Sequence, residues 1–196
     1  LSLVGSEMCI RDSEYIVIGA HYDHLGMGGT GSGSRRPDTM AVHNGADDNA
    51  SGVASIIEIV EKIASMKNEN KRSLIFIAFG AEEMGLLGSK FFTDHPLIDI
   101  KNVKTMFNLD MVGSLNKETK ALTVGGTGTA VGLSDLVTQL VDTTKLVLKQ
   151  STEGYGPSDH ASFYMKDIPV LFFFTGVTQE YHTPVSYTHL RAHETK

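Results

Sequence analysis

The chain has 196 residues, of which 41% are hydrophobic and 20% are charged, so its length and mixture fit one globular domain rather than a disordered or collagen-like chain. Its formal net charge of -6, without a basic stripe, argues against a nucleic-acid partner. The longest apolar runs, residues 74–79 and 170–174, are too short to span a membrane, and a single cysteine excludes a disulfide framework within the chain.

The two ends of the chain are related to each other at the level of DNA. Plausible codons for residues 1–12, when reverse-complemented, translate into residues 185–196 in order. One DNA segment therefore flanks the gene fragment in both orientations, and it resembles a translated transposase-type sequencing adapter. We interpret residues 1–13 and 185–196 as non-native flanks, which removes Cys9, His189 and His193 from the argument. Residues 14–184 are then expected to form one domain, truncated at both ends.

Between the flanks, short β-branched or apolar runs alternate with segments of helical periodicity. The runs predict strands over residues 14–20, 73–79, 103–109, 121–124, 146–150 and 169–175. The periodic segments predict helices over residues 50–66, 86–93, 131–145 and 158–166. Strands that alternate with helices predict an α/β sandwich around a largely parallel or mixed sheet.

Polar residues that can carry chemistry cluster where the predicted strands end. Two His and four carboxylates follow predicted strands: His21, Asp23, Glu82, Glu83, Asp110 and His182. Two further carboxylates, Asp47 and Asp48, immediately precede the first predicted helix. Ligand and catalytic sites of open α/β sheets form at the carboxyl ends of the strands, so these side chains are expected to meet at one edge.

Imidazole nitrogen and carboxylate oxygen, without thiolates, suit zinc or a similar divalent ion. Two His and three or four carboxylates are enough donors for two ions that share a bridging ligand, about 3.5–4 Å apart. Each residue also has an ordinary explanation. Asp47 or Asp48 could cap the following helix, and Glu82 and Glu83 could be solvated.

A long Gly/Ser-rich loop, residues 26–46, separates the first strand from the first helix. We expect it to face substrate and to be mobile, because it offers little to bury and is long for a plain connection. Its GxGxxG pattern opens no helix, so it does not indicate a dinucleotide site. His24 and His43 lie near and within this loop, where lining of the substrate pocket and plain solvation remain open. Tyr155 could donate to an oxyanion or simply pack.

Six motifs, in order along the chain, resemble the M28 family of di-zinc aminopeptidases. They are GAHYDHLG (19–26), NGADDNASGVA (44–54), AFGAEEMGLLGS (78–89), NLDMVG (108–113), GPSDHASF (156–163) and YHT (181–183). The resemblance implies a three-layer α/β/α sandwich with a mixed, largely parallel central sheet.

The resemblance also implies a ligand set for two zinc ions. His21 and Asp110 are expected to hold one ion. Glu83 and His182 are expected to hold the other, and Asp48 is expected to bridge both ions.

Further roles follow from the same resemblance. Glu82 is expected to be the general base, and Asp23 is expected to orient His21. The Asp48–Asn49 peptide is expected to be cis. Asp159 and His160 are expected near the site, where they would orient the substrate or the loop that carries His182.

The function implied is a zinc metallopeptidase that removes amino-terminal residues from a peptide substrate, outside the cytoplasm. Two alternatives remain open at this point. One is a carboxypeptidase or a peptide-modifying relative. The other is a non-catalytic binding domain on the same fold, against which the presence of Glu82 and of the full ligand set argues.

Overall fold

A computed structural model of the chain describes residues 14–66 and 72–187. Most of the two predicted flanks, residues 1–13 and 188–196, lies outside the described residues, together with Cys9, His189 and His193. Of the described flank residues, Val185 and Tyr187 are exposed whereas Ser186 is buried. The non-native origin of the flanks therefore stays a prediction.

Six strands form one mixed sheet, as predicted. They are β1 (Tyr15–His21), β2 (Ser73–Phe79), β3 (Val103–Leu109), β4 (Ala121–Gly125), β5 (Val147–Gln150) and β6 (Val170–Phe174). Their order across the sheet is β2-β1-β3-β6-β4-β5. The first four strands in this order are parallel to one another, and β4 and β5 run in the opposite direction. The carboxyl ends of β2, β1, β3 and β6 therefore share one edge.

Helices cover both faces of the sheet, which confirms the three-layer sandwich. They are α1 (Ser51–Ser65), α2 (Leu87–Asp94), α3 (Leu133–Leu140) and α4 (His160–Tyr164). Successive strand residues point to opposite faces, so Val17 packs toward α2 and α4 whereas Ile18 packs against α1. Helix α3 packs through Val137 on the same face as α1. None of the helices in the described part of the chain is long and apolar enough to cross a membrane.

The predicted helix over residues 131–145 was wrong in its second half, because α3 ends at Leu140. Asp142 competes with the helix for backbone groups there. Its carboxylate accepts hydrogen bonds from the backbone N–H and the hydroxyl of Thr144, and its carbonyl accepts from Lys145. Local bonding by Asp and Thr favours a turn over a further helical turn.

Candidate metal centre

The sheet edge gathers the predicted site residues from separate elements. His21 is the last residue of β1, Asp110 directly follows β3, and Glu82 and Glu83 lie just beyond β2. His182 lies in the irregular segment that follows β6. Because these four strands are parallel, the segments that follow them meet around Asp48.

Asp48 lies between the two predicted halves of the site. One of its oxygens, Oδ1, lies 3.2 Å from His21 Nε2, and Asp110 Oδ1 lies 3.6 Å from the same nitrogen. The other oxygen, Oδ2, lies 3.0 Å from His182 Nε2, which is also 3.4 Å from Glu83 Oε2. The two carboxylate oxygens of Asp48 thus face different histidines, which is the arrangement that a bridging ligand requires.

These separations fit zinc. Zinc binds imidazole nitrogen and carboxylate oxygen at about 2.0–2.2 Å with tetrahedral angles, so two such ligands lie about 3.3–3.6 Å apart. The four distances that join His21 or His182 to Asp48, Asp110 or Glu83 are 3.0, 3.2, 3.4 and 3.6 Å, so two fall in this range and two lie up to 0.3 Å below it. Donor atoms of two further groupings also lie within 4.8 Å of one another, namely His21 with Glu82 and Asp110, and His24 with Asp48 and Glu83. The geometry therefore admits Glu82 and His24 as further donors, and the assignment of individual ligands stays a prediction.

The electrostatics of the cluster favour a cation. Burial alone would lower the pKa of His21, but the neighbouring carboxylates of Asp110 and Asp48 raise it to about 12. Burial would likewise lower the pKa of His182, and contacts with Asp48 and Glu83 raise it to about 10. These raised pKa values mean that the surrounding carboxylates stabilise positive charge at the two rings. The same carboxylates would stabilise a divalent cation that replaces the ring protons.

Asp23 holds the Glu82–Glu83 segment rather than the His21 ring. Its carboxylate accepts the backbone N–H of Glu82 at 2.9 Å and that of Glu83 at 3.2 Å. His21 Nδ1 lies 3.1 Å from the backbone carbonyl of Asp23 and 3.8 Å from its carboxylate. The His21 ring is therefore oriented by the main chain of Asp23, whereas the carboxylate fixes the turn that carries both glutamates.

The start of α1 is pinned to the end of β3, which fixes Asp48 relative to Asp110. The Asp48–Asn49 peptide is cis, as expected. Asn49 donates to the carbonyl of Leu109 at 2.9 Å and accepts the N–H of Met111 at 3.1 Å. Asn49 Oδ1 also accepts the N–H of Gly52, in the first turn of α1, at 3.0 Å.

Glu82 lines an open cleft of about 620 Å³ beside the cluster. Glu83, Gly85, Leu86, Tyr155, Gly156, Pro157 and Tyr181 complete the lining. Burial, reinforced by neighbouring carboxylates, raises the pKa of Glu82 to about 8. Tyr155 lines this cleft and is exposed.

Asp159 and His160 are buried behind the cluster. His160 stacks on Phe172 with ring centroids 4.4 Å apart, and burial lowers the pKa of His160 to about 4. Asp159 is fully buried, and neither of its carboxylate oxygens has a hydrogen-bond partner among the described residues. Within the described part of the chain, the side chains of Asp159 and His160 form no hydrogen bond with His182 or its loop.

His24 is part of the cluster, and this was left open by the sequence. Its Nδ1 lies 2.8 Å from Glu83 Oε1 and 3.8 Å from Asp48 Oδ2. The strand-end argument that selected His21 and Asp23 applies equally to His24, one residue beyond Asp23, and would have found it. His24 is half-buried and His43 is buried, with His43 Nδ1 2.9 Å from the carbonyl of Ala41, so neither histidine is a solvated loop residue.

Comparisons with known proteins agree with this architecture. The aminopeptidase YwaD of Bacillus subtilis (strain 168) is 32% identical over 186 residues, which cover 89% of this chain and 36% of YwaD. The solved structure of the LapA aminopeptidase of Legionella pneumophila is 31% identical with a TM-score of 0.70, covering 90% of this chain and 46% of LapA.

A third similar protein is BSAP, described as a zinc aminopeptidase from Bacillus subtilis. Its structure is 28% identical with a TM-score of 0.71, covering 92% of this chain and 42% of BSAP. The chain thus spans less than half the length of these three proteins. The model of Peptidase family M28 matches residues 3–190 of this chain. The chain therefore belongs to peptidase family M28.

Proposed function

We propose that the chain is a zinc exopeptidase that hydrolyses the N-terminal peptide bond of peptides with two zinc ions. The observation that carries the proposal is the position of Asp48, whose two oxygens face His21 and His182 at 3.2 and 3.0 Å. The description of the similar proteins as aminopeptidases, and of BSAP as a zinc aminopeptidase, supports the same reaction.

The proposed division of labour follows the two halves of the cluster. His21 and Asp110 would hold one ion, Glu83 and His182 the other, and Asp48 both. Zinc, when bound, lowers the pKa of a coordinated water and polarises the scissile carbonyl.

Glu82 is the proposed general base. Its carboxylate lies within 4.8 Å of donor atoms of His21 and Asp110, and it also lines the cleft. Asp23 fixes the backbone of Glu82, so the carboxylate is held where it can take a proton from the attacking water and deliver it to the leaving amine. Glu83 is turned toward His24 and His182 instead, so adjacent glutamates serve different tasks.

The cleft is the proposed binding site for the first residues of a peptide. Its walls combine the rings of Tyr155 and Tyr181 with the carboxylates of Glu82 and Glu83. The similar proteins are described as aminopeptidases, which favours an aminopeptidase over a carboxypeptidase.

Zinc analysis and hydrolysis of leucine p-nitroanilide test the proposal together. We expect about two zinc ions per chain and activity that N-acetylation of the substrate abolishes. Glu82→Gln should lower kcat by about 10²–10⁴-fold while zinc content is retained, because only the proton acceptor is lost. Glu58→Gln on the exposed side of α1 is the matched control and should leave both unchanged.

Three outcomes would contradict the proposal. Release of the C-terminal residue from an N-blocked peptide would indicate a carboxypeptidase. Zinc binding without hydrolysis of any peptide would indicate a binding domain. A Glu82→Gln variant with near-normal kcat would remove Glu82 from the role of base.

A further inference from the structure

The 26–46 loop has an ordered internal framework. Its two arms are joined by backbone hydrogen bonds from Ala41 to Met27 at 3.0 Å and from His43 to Gly26 at 2.7 Å. Gly28 and Met40 form an isolated antiparallel bridge between the same arms. These bonds hold the base of the loop closed, and the tip of the loop extends from this base.

The tip of the loop contacts His182. The ring nitrogen Nδ1 of His182 donates to the carbonyl of Gly33 at 3.0 Å, and the backbone N–H of Arg35 donates to the carbonyl of His182 at 2.9 Å. The Arg35 guanidinium lies 4.7 Å from the centre of the Tyr181 ring, which stacks on His182 with centroids 3.7 Å apart. Loop residues thus hold the ring, the main chain and the stacking partner of His182.

A buried histidine fixes the tip of the loop. His43 Nδ1 donates to the carbonyl of Ala41 at 2.9 Å, so its Nε2 is left to accept the hydroxyl of Ser34 at 2.7 Å. Ser34 Oγ in turn accepts the backbone N–H of Arg36 at 3.0 Å. Ser34 lies between Gly33 and Arg35, and its Oγ is itself 3.5 Å from the carbonyl of His182, so the His43–Ser34 bond holds the segment that contacts His182 in position.

His182 depends on such support. It lies outside any helix or strand, and its φ of 56° is in the left-handed region that non-glycine residues rarely adopt. A residue in this region persists where its surroundings over-determine the conformation. The bond from Nδ1 to Gly33 also directs Nε2 toward Asp48 and Glu83, as an outer hydrogen bond does for a metal-ligating histidine.

We propose that the 26–46 loop positions His182 for the zinc ion that His182 and Glu83 would hold, which we call the second ion. The affinity for this second ion then depends on the loop. This inference rests on the proposed two-zinc site. It adds a role in metal binding to our expectation from the sequence, in which the loop faces substrate. The loop residues are positioning residues, because they act through His182 and not on the substrate.

Arg35→Pro tests the inference, because proline lacks the N–H that bonds to His182. The variant is made in the 196-residue chain, and zinc is titrated in competition with a chromophoric chelator. We expect the second ion to bind about 10–100-fold more weakly, with the first ion unchanged. Arg35→Ala keeps the N–H and loses only the cation over Tyr181, so the second ion should weaken by no more than about fivefold.

A double-mutant cycle with His182→Ala shows whether the effect passes through His182. If it does, Arg35→Pro should cause no further loss of zinc affinity in the His182→Ala background. Far-UV circular dichroism monitors folding. If Arg35→Pro fails to fold, Ser34→Ala is the second variant, and it should also weaken the affinity for the second ion only. Ser134→Ala, at an exposed position of α3, is its control and should change the affinity for neither ion.

The inference is overturned if the wild-type chain binds two ions and the folded loop variants retain both affinities. It is also overturned if Arg35→Pro weakens both ions alike, or has the same effect with and without His182. A wild-type chain that binds at most one zinc ion would instead refute the two-zinc site on which the inference rests.

Discussion

Asp159→Asn should stabilise the protein at neutral pH in the presence of a metal chelator. Asp159 is fully buried, and burial raises its pKa from 3.8 to about 6. Between these two pH values the folded chain keeps a proton that the unfolded chain has released. Folding stability from this group therefore falls as the pH rises through this window.

The size of the effect follows from the two pKa values. One pKa unit corresponds to about 1.4 kcal/mol, so ionisation of Asp159 costs the folded state about 3 kcal/mol above pH 6. Asparagine cannot ionise and has nearly the same shape. Its stabilising effect should be about 3 kcal/mol at pH 7, about half as large at pH 5, and close to zero below pH 4.

Urea unfolding followed by far-UV circular dichroism measures this difference, since the chain has no tryptophan to report by fluorescence. Asp38→Asn makes the same chemical change at an exposed position and should alter the free energy of unfolding by less than about 0.5 kcal/mol. A stabilisation by Asp159→Asn that does not grow between pH 5 and pH 7 would show that the buried carboxyl does not carry this cost.

Two further changes probe the frame of the site. Asp48→Ala should lose both zinc ions, because it removes the proposed bridge. Metal content after gel filtration measures this loss, and retention of either ion at full affinity would argue against bridging. Gly52→Ala should destabilise by about 1–3 kcal/mol in thermal unfolding, because its Cβ would lie 2.4 Å from the carbonyl of Leu109. Gly125→Ala is the control, since its Cβ would meet nothing closer than 3.5 Å, and equal losses for the two variants would refute the steric argument.

The predictable part of the fold was the part encoded by local pattern. The observed strands begin and end within one residue of the predicted ones, because most are short runs of apolar and β-branched residues bounded by polar or turn residues. The convergence of His21, Glu82 and Asp110 followed from the rule that parallel strands deliver their carboxyl ends to one edge. The reversal of β4 was not predictable, because alternation of apolar residues carries no information on strand direction.

The contacts that were missed join residues far apart in the chain. Asp23 bonds to the backbone of Glu82 and Glu83, and Gly33 bonds to the ring of His182. Each of these bonds uses a backbone group as one partner. Because every residue has such groups, the residue types in the sequence do not predict these bonds. The end of α3 is a different case, because the Asp and Thr residues that follow Leu140 could have predicted it.

Because β4 and β5 run opposite to the other strands, their carboxyl ends point away from the metal centre. Since β4 runs antiparallel to β6, the segment that follows Gly125 emerges at the edge opposite the metal centre. Val131 lies in this segment with its side chain fully exposed. A fluorescent label or a tether to a surface could be attached at this position, so that single molecules are immobilised with the cleft open to solution.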